Sequence, residues 1–338
     1  MSDTLDLTAA LRELGRGART SRALTREAAR ALFAAMLAGT VDELRLGALL
    51  IAYRIKGETA AELAGMLDAA QATLTPIMAP SGRHPVAIAS YNGARRRPNL
   101  VPLLALSLAQ RGVPVLVHGE RGDGYGRVGS ALVFAALGIR PCASLGDATA
   151  VLRGTRAPRV AFVPIDTLSP PLAALLALRE RLGLRNSAHT IVKLIDPFAT
   201  PGLRLVNYTH PPYREALLEL FTVVAPPAAP GVLLARGSDG EAAADPTRDV
   251  EVVQLVAGTA RTVIEAAQGD AASVSLPAHD AVATARYTEQ ALAGAVALPA
   301  PLTRQIETIA ALSATAAAPP GRPPPASATR AHHAEIVR

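Results

Sequence analysis

The strongest constraint on the fold is a change of period near residue 76. Before it, apolar residues recur at helical spacing. Thr25–Ala38 and Val41–Ile55 each gather them on one face and set Arg26, Glu27, Arg30, Asp42, Glu43 and Arg45 opposite, the pattern of helices buried along one side. Gly39 and Gly57 follow as C-terminal stops. Thr59, with Glu62 three residues on, reads as a capping box opening a third helix, Ala60–Ala72. No strand pattern occurs in this region, so residues 1–76 are expected to form a helical domain. Pro76 to Pro85 reads as a linker.

After the linker the period changes. Val86–Ala89, Val113–Val117 and Val160–Pro164 are short apolar runs, with helical segments Asn99–Arg111 and Ala131–Leu137 between them. Strand, helix, strand at this spacing predicts a mainly parallel sheet with crossover helices. Pro170–Leu182 and Asp280–Ala293 read as further helices, and Phe221–Ala225, Val232–Ala235 and Val250–Val256 as further strands. The expected architecture is therefore α/β over 84–315 beside the helical domain, with helices near 169–190 packing back onto the latter. From 316 the chain reads AAAPPGRPPPASATRAHHAE, which cannot build a core and predicts a disordered tail over 316–338. The His332-His333 pair within it is too isolated to predict a metal site.

Composition narrows the function classes. One cysteine, Cys142, excludes a disulfide framework and a zinc cluster. No apolar run reaches the roughly 18–20 residues of a membrane span, and the polar, acidic first residues do not resemble a secretory leader. A cytoplasmic location is the expectation. The net charge is +6, and only Lys56 and Lys193 are lysines, so arginine excess with abundant alanine is also what a GC-rich genome produces. The distribution says more. Residues 76–200 carry 15 basic and 6 acidic residues, against 9 and 9 in 1–75 and 10 and 13 in 201–338. An excess concentrated in the middle third points to an anionic partner.

The first loop after a strand, Ser90-Tyr91-Asn92-Gly93-Ala94-Arg95-Arg96-Arg97-Pro98-Asn99, lies where ligands collect in a parallel sheet. Gly93 permits a tight backbone approach, and three guanidiniums precede a helix start, which together suit phosphate. A solvated basic turn would have the same composition. The loop matches neither the P-loop nor the dinucleotide fingerprint, so no cofactor is expected.

Three segments then carry a resemblance. Gly47-Ala-Leu-Leu-Ile-Ala-Tyr-Arg-Ile-Lys-Gly-Glu-Thr59 followed by Glu62-Leu63-Ala64-Gly65, Val117-His118-Gly119-Glu120-Arg121, and Arg179-Glu-Arg-Leu-Gly-Leu-Arg185 continuing to Lys193-Leu-Ile-Asp-Pro197 resemble the anthranilate phosphoribosyltransferases, a family of nucleoside-phosphorylase-like transferases. The resemblance runs from about Leu24 to Leu312. It implies the two-domain fold and a homodimer formed through the helical domain. The departures are equally specific. Ser90–Ala94 replaces a loop that carries three glycines and an aspartate in the family. Ala242 and Ala243 stand where the resemblance assigns a magnesium-binding Asp-Glu pair, so no metal is expected. Ala188-His189 and Val192-Lys193 replace Phe-Asn and Gly-Pro. The Ser90–Arg95 loop and His189–Pro197 match better a divergent branch of the family, the YbiB-like proteins, for which the resemblance implies nucleic-acid binding.

The leading expectation is a sequence-independent DNA- or RNA-binding protein. Its phosphate contacts are sought among Ser90, Tyr91, Asn92, Gly93, Arg95, Arg96, Arg97, Arg121, Arg127, Arg185 and Lys193, with Tyr91 as a stacking surface. Aromatic residues make up 3% of the chain, which argues against base readout. The alternative is a phosphoribosyltransferase acting on an acceptor other than anthranilate, with His118, Arg179 and His189 lining a substrate cleft. No catalytic residue is assigned, and His118 at a strand end also suits a structural role.

Overall fold

Four helices precede any strand: α1 (Leu7–Leu14), α2 (Arg26–Leu37), α3 (Glu43–Lys56) and α4 (Ala60–Ala72). The computed structural model describes residues 6–17, 20–122, 126–154, 158–267 and 275–314. Asp6, Thr25, Asp42 and Thr59 each cap a helix with a side-chain oxygen that accepts a first-turn N–H. Glu62 has no exposed surface. Its carboxylate accepts the N–H groups of Thr59 and Leu24, each at 2.9 Å, and pairs with Lys56 Nζ at 2.6 Å. One buried carboxylate thus joins the end of α3, the start of α4 and the chain entering α2.

The α/β domain runs through β1 (Val86–Ser90), α5 (Val101–Gln110), β2 (Val115–Gly119), α6 (Ser130–Ala136), α7 (Leu145–Arg153) and β3 (Val160–Pro164). Three helices follow, α8 (Ile165–Leu168), α9 (Pro170–Leu182) and α10 (Ala188–Ile191), and α9 packs on α2. The chain then re-enters the sheet at β4 (Leu203–Tyr208), continues through α11 (Pro211–Glu219), β5 (Val232–Arg236), β6 (Val252–Val256) and β7 (Thr259–Ile264), and ends in α12 (Ala281–Leu292) and α13 (Ala300–Ala314). The sheet order is β3-β2-β1-β4-β5-β6-β7, parallel from β3 to β5 and antiparallel at β6 and β7. Alternation along β1 divides the core: Ala87 and Ala89 pack toward the helical domain, Val86 and Ile88 toward α5, α12 and α13. No helix among the described residues is long and apolar enough to cross a membrane.

Some sequence expectations need correction. Phe221–Ala225 is not a strand; α11 passes into a π-helical turn, Leu220–Val224. A buried aromatic and two valines have strand composition, but Phe221 is fixed from outside the segment, with the Arg204 guanidinium 5.5 Å over its ring. β4 goes undetected because Arg204 interrupts its apolar run. β7 is missed because it is an edge strand with most of its residues exposed. Within the Pro76–Pro85 linker, Ile77 forms a parallel bridge with Phe198. The segment 316–338, including His332 and His333, lies outside the described residues.

Candidate functional site

The order of strands places β1 beside β4, with the chain winding outward from them in opposite directions. Ligands of open parallel sheets collect at the carboxyl ends of such a pair. Here those ends are Ser90-Tyr91-Asn92-Gly93 and Asn207-Tyr208-Thr209-His210. α3 and the segment 185–193 close over them, leaving a cleft of about 920 Å³ that includes its open mouth.

At the loop after β1, the expected backbone donors point inward and are already taken. Glu241 Oε1 accepts the N–H groups of Asn92 (2.8 Å) and Gly93 (2.7 Å). Asp239 Oδ2 accepts three in succession, from Arg95 (3.1 Å), Arg96 (2.9 Å) and Arg97 (3.2 Å). Successive N–H groups converging on one oxygen form an anion nest. Gly93 makes the nest possible at φ 63°, where a Cβ would also lie 2.9 Å from Arg127 Cβ. Asn92 and Asn207 each donate an amide N–H to Gly240 O, which fixes the turn carrying both carboxylates. Burial pushes Asp239 upward, but the three N–H donors and the Arg97 charge outweigh it and hold its carboxyl below the usual range. Burial pushes Glu241 upward, against its bonds and the charge of Lys193. The loop does hold anions, and they are the protein's own.

The cations beside it are arranged differently. Arg54 from α3, Arg185 and Lys193 line this cleft, and Arg127 and Arg179 from α9 line a smaller pocket between Ser90 and Glu120 that shares Asn92 with it. Desolvation lowers the Arg185 guanidinium from its ordinary value, and Arg179, Arg127 and Arg54 lower it further. Lys193 falls to about 8 through desolvation, with Arg185 and Arg127 adding to the fall and Glu241 opposing it. His189 falls to about 3 for the same reasons, desolvation first and then Arg185 and Arg179, so its ring is neutral at pH 7. Like charges are thus held close, with Glu58, Glu120 and Glu241 as the acids among them.

The expected site residues separate into groups. Asn92, Arg185, His189 and Lys193 meet in the cleft, and Asn92, Arg127 and Arg179 in the smaller pocket beside it. Arg97 is paired with Asp245 and donates to Thr247 at 3.1 Å, while Arg121 pairs with Asp166 at 2.7 Å. Arg95 and Arg96 are exposed outside the cleft. Ser90 and Gly93 are buried in the loop's own network. Two expectations are overturned. Tyr91 is not a stacking surface: it is buried, and its hydroxyl meets His118 Nδ1 at 2.7 Å. His118 is likewise 1% exposed, and burial lowers it to about 3, so it lines no cleft. The sequence reading missed Arg54, although it stands within the quoted helix, and Asn207, Tyr208 and Tyr213, which depend on the undetected β4. It also missed the use to which Asp239 and Glu241 are put.

The donors for a magnesium ion are lacking. Ala242 and Ala243 are buried among apolar side chains of the sheet and α13, Asp239 and Glu241 are each bound to backbone through one oxygen, Glu241 Oε2 being buried without a partner, and no group of three His, Cys, Asp or Glu suited to a metal occurs among the described residues. These residues do not fit the ion.

Comparison with known proteins agrees with the architecture. Residues 8–73 match the helical bundle domain of the glycosyl transferase family. The chain is 40% identical over 305 residues to the Escherichia coli protein YbiB, covering 89% of this chain and 92% of the relative. It is 32% identical over 245 residues to the anthranilate phosphoribosyltransferase of Methylobacterium nodulans, covering 72% and 69%. Among solved structures, anthranilate phosphoribosyltransferase from Thermus thermophilus superposes with a TM-score of 0.68 at 22% identity, covering 92% of this chain and 88% of that one.

Proposed function

The chain belongs to the anthranilate phosphoribosyltransferase family, in its YbiB-like branch, and from that premise we propose that it binds the phosphate backbone of nucleic acid in the basic cleft without reading sequence. One observation carries this reading: Arg54, Arg185 and Lys193 line the cleft, with Arg127 and Arg179 in the pocket next to it, while the loop that would cradle a diphosphate is filled by Asp239 and Glu241. Side-chain guanidiniums neutralise phosphates wherever a strand presents them, and displaced counterions supply much of the affinity. A compact diphosphate instead needs the backbone donors that are occupied here.

A second reading is transfer of a phosphoribosyl group to an acceptor other than anthranilate. Two observations favour it: relatives named for that transfer match 72% of the chain, and the basic residues are gathered in a cleft sized for a small ligand. Titration of labelled oligonucleotides at two salt concentrations, beside calorimetry with phosphoribosyl diphosphate with and without magnesium, separates the two. Oligonucleotide binding that falls steeply with salt supports the first. Metal-dependent binding of the diphosphate, with none of oligonucleotides, supports the second.

A homodimer through the helical domain belongs to the same proposal. Leu44 and Ile55, three helical turns apart on α3, are 84% and 66% exposed and form one apolar stripe. Light scattering is expected to give the dimer mass for the native chain and the monomer mass for L44D/I55D.

A further inference from the structure

Aromatic side chains are scarce, five Phe, six Tyr and no Trp in 338 residues, and their distribution is uneven. Among the described residues every Phe is buried, and so are Tyr53, Tyr91 and Tyr287. Tyr208 and Tyr213 are the two described exceptions; both are half-buried, and both line the basic cleft. Tyr208 ends β4, and Tyr213 lies in the first turn of α11. Val206 and Leu217, from the same two elements, add apolar surface to this wall. The other wall comes from α3 and the segment 185–193 and carries Arg54, Arg185 and Lys193.

A wall of aromatic and aliphatic carbon facing the same space as a wall of cations fits a ligand with a planar ring and phosphate on one molecule. Buried tyrosines stabilise a core; tyrosines half-exposed in a concave, cationic space offer ring faces to a partner. In a duplex each base face is covered by its neighbours, so the double helix presents no ring that could enter. An unpaired base does.

We infer that the Tyr208–Tyr213 wall receives an unpaired base, so that the strand bound in the cleft is single. This rests on the nucleic-acid reading above and adds to it the state of the strand. Stacking on tyrosine is tolerant of base identity, because every base has a ring face. The inference therefore keeps binding independent of sequence while making it dependent on bases.

The test uses the full chain at low salt and three fluorescein-labelled probes of equal length: a deoxythymidine 12-mer, the same backbone with abasic sites throughout, and a 12-base-pair duplex. The single strand is expected to bind about tenfold more tightly than the abasic strand, the range of one to two stacked bases, and more tightly than the duplex. Y208A and Y213A are expected to bring the thymidine strand down to the level of the abasic one and to leave the abasic strand unchanged. Y208F and Y213F, which keep the ring faces, are expected to retain the preference. Equal binding of the thymidine and abasic strands overturns the inference and leaves the nucleic-acid reading standing. So does a Y213A chain that loses affinity for both strands alike, since that marks a structural tyrosine. Failure of all three probes to bind overturns both.

Discussion

The loop Ser90–Arg97 and the segment Arg185–Lys193 border the same cleft, and both are basic in sequence, yet they use charge in opposite ways. In the loop, five backbone N–H groups converge on two carboxylates from the turn Asp239–Glu241, and the guanidinium of Arg97 is paired with Asp245. Its electrostatics are settled inside the fold. In the segment, desolvation and the nearby Arg179, Arg127 and Arg54 lower Arg185, and desolvation with Arg185 and Arg127 lowers Lys193, while Glu120 and Glu241 oppose these falls. A satisfied charge stabilises the protein; crowded like charges leave affinity for something outside it.

This contrast predicts opposite mutational signatures. Removing the buried acid in E241A leaves the Asn92 and Gly93 N–H groups and Lys193 without their anion, at an expected cost of about 3 kcal/mol in stability, read as a lowered midpoint in thermal or urea unfolding. The same variant opens the nest, so calorimetry is expected to show inorganic pyrophosphate bound by E241A and not by the native chain. The double variant R185A/K193A relieves repulsion but also takes the Lys193 charge from buried Glu241, so it is expected to lose less stability than E241A. It is expected to lose about a hundredfold in oligonucleotide affinity, the equivalent of about 2.7 kcal/mol. Unfolding of R185A/K193A earlier than E241A, or an E241A chain as stable as native, would erase the distinction between the two regions.

A smaller effect concerns pH. Lys193 titrates near 8, so its charge is present below that value and lost as pH rises through it. Anion affinity is expected to fall by at most about tenfold between pH 7 and 9, and K193R, charged throughout, is expected to flatten the profile. Smallest of all is R95A/R96A. These side chains are exposed outside the cleft, and their removal is expected to weaken binding less than threefold at moderate salt.

How much of this was legible beforehand varies with the kind of interaction. Local rules located the helical domain: the Thr59–Glu62 capping box can be read from a spacing of three residues, and the three-dimensional bonds match it. The short apolar run Val86–Ala89 located β1. The interior of the site was less legible, because its partners are far apart in sequence. Asn92 and Glu241 are 149 positions apart, and nothing local to Ser90–Arg97 reveals that its donors are taken. β4 escaped detection because Arg204 breaks its pattern; that arginine is half-buried, close to Asp196 and over Phe221. With β4 went Asn207, Tyr208 and Tyr213. Tyr91 was misplaced for the converse reason: a tyrosine in a basic loop has the composition of a stacking site, and only the Tyr91–His118 bond shows that it faces inward.

The central claim is that the cations of the cleft, rather than those of the loop, meet phosphate. The salt dependence of binding to a single oligonucleotide, measured for the native chain and for R185A/K193A, tests it most directly. Each lost phosphate contact lowers the slope of log affinity against log salt by about 0.7 for a single strand, so the double variant is expected to show a slope about 1.4 smaller in magnitude, with R95A/R96A close to native. A native slope in R185A/K193A, with the reduction appearing in R95A/R96A instead, would contradict the account.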